Sequence, residues 1–135
     1  MPHTIYSIGY LNPDSLTLLQ ERVALGSLIL DIRLVAASRW RPEFSGKRLR
    51  ERFGSAYQRI RDLGNNNYNR PDEPIVLHSP EWGLFQLFTL LEQQDLCLLC
   101  RCQQLAQCHT AVVLAEVLRR DPAIPVIRLG EETRQ

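Results

Sequence analysis

Ser27-Leu-Ile-Leu-Asp-Ile-Arg33 is an apolar run with too little alternation for a strand that keeps one face in water. Runs of this kind belong to parallel sheets covered on both faces, and this one ends in two charged residues, Asp31 and Arg33, where the chain leaves the sheet. Upstream, Leu16, Leu19 and Val23 recur at three- and four-residue spacing from Pro13 onward, and Gly26 supplies the stop, which predicts a helix. Before it, Thr4-Ile-Tyr-Ser-Ile-Gly9 is a β-branched and aromatic run closed by glycine, and Asn12-Pro-Asp-Ser15 is a helix-opening cluster.

Downstream of Arg33, Leu34 to Gly46 contains Ser38-Arg39-Trp40-Arg41-Pro42-Glu43-Phe44 and reads as a basic, aromatic loop. Lys47 to Leu63 carries a helical stripe interrupted by Gly54-Ser55, and the favoured reading is a short helix followed by a strand. Gly64 to Pro71 is rich in turn residues. Glu81 to Gln94 predicts a helix, Asp95 to Arg101 a buried strand, His109 to Arg120 an amphipathic helix stopped by Asp121-Pro122, and Ile124 to Leu129 the last strand. This alternation of strands and helices predicts a single three-layer α/β domain over residues 1–130. Its sheet is mostly parallel and flanked by helices, and residues 131–135 form a frayed tail.

At 135 residues with 44% hydrophobic side chains, the chain is long enough to bury one core. The start, MPHTIYSIGY, lacks a basic segment followed by a long apolar run, so the expectation is a soluble, cytoplasmic protein with no membrane partner. The net charge of +1 conceals a local bias. Arg33 to Arg70 holds ten Lys or Arg against three acids, whereas the last 65 residues hold nine acids against five bases. All but one of the basic residues are Arg, whose planar fork suits carboxylate and phosphate.

All four cysteines lie between Leu96 and Arg120, and in a chain without a secretory leader they read as reduced thiols, metal ligands or catalytic groups. Cys97 lies inside a strand and reads as core. Cys100 ends that strand and Cys108 stands at the start of the next helix, where free N–H groups and the macrodipole stabilise a thiolate. His109 is the adjacent proton carrier, so Cys100, Cys108 and His109 are the catalytic candidates if the protein is an enzyme. Cys100, Cys102, Cys108 and His109 supply enough nominal ligands for zinc, but their spacing is poor for it, and no metal or cofactor is assigned. Asp31 and Arg33, two apart on a strand, share a face and either pair with each other or present Arg33 to an anion; Ser38 and Arg39 follow in the loop. Trp40 and Phe44 either anchor that loop, the favoured reading, or stack a base.

The spaced set Ser7-Ile-Gly-Tyr10, Asp31-Ile-Arg33, Ser38-Arg39, Pro42-Glu-Phe44, Tyr57, Leu63-Gly-Asn65, Leu99-Cys100 and Cys108-His109 resembles the domain-of-unknown-function 488 family of small bacterial and archaeal proteins. The resemblance implies a compact α/β domain with a strand over Tyr57 to Ile60, and it assigns no activity. Cys102 stands where that family commonly has an acid, Thr110 where it has a base, and Leu34-Val-Ala-Ala37 where it has Ser and Pro.

Two functional expectations follow. The first is a strand-end cleft that binds a phosphate-bearing or other anionic ligand, nucleotide or nucleic acid among them, through Asp31, Arg33, Ser38 and Arg39 with the helix start at Cys108-His109. The alternative is a non-catalytic interaction or regulatory domain that uses its basic surface.

Overall fold

The runs that read as strands pair in one sheet. In the computed structural model, which describes residues 3–102 and 108–130, β1 (Ile5–Gly9), β2 (Leu28–Asp31), β3 (Tyr57–Arg59), β4 (Leu96–Cys100) and β5 (Val126–Arg128) form a sheet ordered β3-β2-β4-β1-β5. Every pairing is parallel. Every residue of β2 and of β4 is buried, as expected for inner strands with both faces covered.

Four helices connect them: α1 (Ser15–Ala24), α2 (Gly46–Phe53), α3 (Pro80–Leu91) and α4 (His109–Arg120). Leu28, Leu30, Leu96 and Leu98 form one core layer with Leu84, Leu87 and Leu91 of α3 and Val113, Leu114 and Val117 of α4. Ile8, Ile29, Cys97 and Leu99 form the other with Leu19 of α1 and Leu49 of α2. The domain is therefore three-layered α/β. The crossovers through α1 and α2 run toward β3 and those through α3 and α4 run toward β5, on opposite faces, so all four share one hand.

Local chemistry sets the ends of these elements. Gly26, with φ of +100°, turns the chain after α1. Ser45 Oγ accepts the Arg48 N–H at 3.3 Å and caps α2, and Pro80 opens α3. Leu34 to Ser45 is irregular apart from one 3-10 turn at Pro42–Phe44, as its composition predicts. The turn-rich segment after Gly64 is tied back by an antiparallel bridge from Asn65 to Leu77. Gly64 lies so close to the backbone of Leu34 that a Cβ there would collide with it, which explains the glycine beside Leu63. Among the described residues no helix is long and apolar enough to cross a membrane. The expected tail at 131–135 lies outside the described residues.

The strand order creates a switch point. β1 and β4 are neighbours, yet β1 leads to α1 and β2 on one side while β4 leads to α4 and β5 on the other. Chains that part in this way leave a crevice at the carboxyl ends of the two strands, where ligands bind in open α/β sheets.

Candidate functional site

At the carboxyl ends of β1 and β4, Gly9 and Cys100 stand opposite each other in the register. The turn beyond β4 presses directly over Gly9, where any Cβ would fall on the carbonyl group of Cys102. Tyr10 N–H donates to Cys100 O at 2.9 Å and Leu11 N–H to Arg101 O at 3.2 Å, which holds the two loops together.

Cys108 caps α4. Its sulfur accepts the Thr110 N–H at 3.5 Å, and Thr110 Oγ1 lies 3.4 Å away. Cys100 Sγ stands 3.1 Å from Cys108 Sγ. Thiol hydrogen bonds from Cys100 and Cys102 hold the Cys108 sulfur well below the ordinary thiol range, against the opposing effect of burial, and His109 adds to them. Cys100 is displaced the other way, well above the ordinary range, by its contacts with Cys102 and Cys108 and by burial. Cys102 is pushed up to about 11, its bond to Cys100 being outweighed by its bond to Cys108 and by burial. Of the three thiols, Cys108 is thus the one most easily ionised. Cys97, whose side chain belongs to the opposite layer, is fully buried and raised to about 12 by that burial, as its reading as core requires.

His109 completes a chain of three groups. Its Nε2 lies 2.9 Å from Ile32 O, and because a carbonyl only accepts, Nε2 carries the proton. In the neutral ring Nδ1 is then the acceptor, and it faces Cys108 Sγ at 3.9 Å. A thiol sulfur, an imidazole and a carbonyl oxygen thus stand in line.

Arg128, which the sequence reading passed over, enters from the edge strand β5. Its guanidinium donates to Cys102 O at 2.8 Å and to Ser7 Oγ at 3.3 Å, and lies 4.0 Å from Cys100 Sγ. A lone arginine two residues beyond Val126, which packs on the core layer of α3 and α4, was the available signal.

Asp31 and Arg33 occupy the opposite face of the sheet. Asp31 is paired in register with Leu99, whose side chain belongs to the layer of α1 and α2, whereas Cys100 is its neighbour on the other face. Arg33 grips Asp31 through Nε at 2.8 Å and Nη2 at 2.6 Å, and Nη2 also donates to Phe44 O at 2.7 Å. Tyr57 donates its hydroxyl to the same carboxylate. Burial of the phenol and the negative charge of Asp31 hold Tyr57 well above its ordinary range, so it remains a neutral donor. Burial alone would lower Arg33, but its bond to Asp31 raises it above the usual value. Arg33 Nη1 is buried without a partner.

The loop candidates separate as well. Ser38 Oγ accepts the Arg41 N–H at 3.0 Å within its own loop, and Arg39 is exposed. Arg41, not Arg39, tethers the loop, with Nη1 donating to Tyr10 O at 2.6 Å, Asn12 O at 3.0 Å and Ser15 Oγ at 3.0 Å. Phe44 anchors the loop as expected, fully buried and stacked on Tyr10, but Trp40 is 74% exposed and anchors nothing. Among the described residues, no group of three or more His, Cys, Asp or Glu is placed to hold a metal ion.

The profile of the family described as Domain of unknown function DUF488 matches residues 18–118. The chain belongs to the DUF488 family. The DUF488 match spans Asp31, Arg33, Cys100, Cys108 and His109, while Ser7, Gly9 and Arg128 lie outside it. No curated protein and no solved structure matches this DUF488 chain.

Proposed function

We propose that this DUF488 protein is a thiol-dependent enzyme that acts on a phosphate-bearing or other anionic ligand at the crevice between β1 and β4. Cys108 is the nucleophile, its proton passing to Nδ1 of His109, which leaves a thiolate beside a protonated ring that can return the proton. The observation that carries this reading is the run from the Cys108 sulfur through the His109 ring to Ile32 O. An anionic ligand is supported by the Arg128 guanidinium beside the thiols and by the place of Cys108 at the positive end of the α4 dipole.

Cys108 is 1% exposed, so reagents reach it through local opening of the site. Inorganic phosphate is expected to slow alkylation of Cys108 by iodoacetamide, on the order of tenfold at ten times its dissociation constant. Peptide mapping of the alkylated cysteines measures this. A Cys108 rate that does not change up to saturating phosphate rejects the anionic ligand.

A second reading, a non-catalytic domain that contacts an acidic partner, is favoured by the surface of α2. Lys47, Arg48, Arg50 and Arg52 are exposed there and make no ion pair among the described residues, and Arg39 and Trp40 are exposed in the loop before it. Binding at that surface falls steeply with salt and leaves Cys108 alkylation unchanged, which separates the two readings.

A further inference from the structure

We propose that Cys100 and Cys108 are a site of reversible oxidation by hydroperoxides, with Cys108 the sulfur that attacks the peroxide and Cys100 the thiol that closes the disulfide. The inference shares the Cys108 thiolate with the function proposed above but needs no phosphate ligand.

The two sulfurs are 3.1 Å apart, only about 1 Å beyond the length of a disulfide bond. They come from separate elements, the end of β4 and the cap of α4, and both side chains are buried. Cys100 lies within 3.7 Å of Ile8 O and 4.0 Å of the Arg128 guanidinium, so a cation stands beside the sulfur that must become a thiolate in the second step. The other sulfur accepts the Thr110 N–H and lies 3.4 Å from Thr110 Oγ1.

In the first step the Cys108 thiolate attacks the terminal oxygen of the hydroperoxide. An S–O bond forms, the O–O bond breaks, and the alkoxide leaves and takes a proton from solvent, which gives a sulfenic acid and an alcohol. In the second step the Cys100 thiol loses its proton and its sulfur attacks Cys108. The S–S bond forms, the S–O bond breaks, and hydroxide leaves with that proton as water. The cysteine pair loses two electrons and the peroxide gains them. A small dithiol reverses the reaction by two thiol–disulfide exchanges.

Cys108 cannot hold a disulfide and act as a nucleophile at once, so oxidation switches off the proposed activity until a dithiol restores it.

The test is peroxide treatment of the reduced full-length protein, followed by thiol counting in denaturant and peptide mapping. Wild type is expected to fall from four titratable thiols to two. A cross-linked Cys100–Cys108 peptide two hydrogens lighter than its parts appears, and dithiothreitol reverses both changes. Cys102→Ser is expected to form the same Cys100–Cys108 cross-link, falling from three titratable thiols to one, and Cys100→Ser to carry Cys108 on to sulfinic acid without a cross-link. A Cys102–Cys108 cross-link, or sulfinic acid without any cross-link in wild type, overturns the assignment. The wild-type map decides the matter even if a variant fails to fold. Phosphate protection of Cys108 is read on reduced protein, so failure of the redox inference and failure of the ligand reading are separately visible.

Discussion

Asp31→Ala is expected to cost about 3–5 kcal/mol of folding stability, a large share of the roughly 5–15 kcal/mol that holds a domain together. Asp31 is fully buried and takes four hydrogen bonds, from the backbone and two side-chain nitrogens of Arg33 and from Tyr57. Its removal leaves a guanidinium with 6% side-chain exposure uncompensated, and Arg33 already has one orphan donor. The Tyr57 hydroxyl loses its partner too. Urea unfolding measures the loss, and a double variant, Asp31→Leu with Arg33→Met, is expected to recover part of it because no charge then stays buried. A loss below about 1 kcal/mol, the worth of an exposed pair, would contradict the structural role.

Gly9→Ala is expected to be comparably damaging for a different reason. The new Cβ would meet backbone, the Cys102 carbonyl, and not the end of a side chain that could swing away. Either the turn after β4 lifts or β1 and β4 separate at their carboxyl ends, at or above the upper end of the 1–3 kcal/mol, roughly, that overpacking costs. Lifting the turn also loosens the bonds from Tyr10 to Cys100 and from Leu11 to Arg101. Hydrogen exchange should therefore show the Tyr10 and Leu11 amides exchanging faster, with the centre of β4 much less affected. Unchanged exchange at those two amides would mean that the close approach is not a constraint.

The fold was legible because its signals are local. Ser27 to Arg33 and Leu96 to Cys100 are continuous apolar runs, and only a sheet covered on both faces hides such runs. Glycine and proline mark where elements stop or start, as at Gly26 and Pro80. The pairing of Cys100 with Cys108 was legible for the same reason, since strand end and helix start are joined by one short connection. What sequence reading could not resolve is which candidates share a face across strands. Asp31 and Arg33 belong together by alternation, but their separation from Cys100 depends on the register that sets Asp31 beside Leu99, and register is a long-range property. Arg128 was missed because β5 adjoins β1 only through the long-range strand order. The tethering role of Arg41 was not legible, because two arginines in an irregular loop look alike until the loop's path is known.

The central claim is that Cys108 is held as a thiolate beside His109, and the pH profile of its alkylation tests that most directly. Cys102, half-buried and raised to about 11, serves as the comparison within the same molecule. Followed by peptide mapping, the Cys108 rate is predicted to stay level through neutral pH and on into acid, because the sulfur is already ionised there. The Cys102 rate should climb with pH toward its own raised value. A Cys108 rate that instead rises about tenfold per pH unit up to the free-thiol value near 8.5 would contradict the account, because the sulfur would then be an ordinary buried thiol.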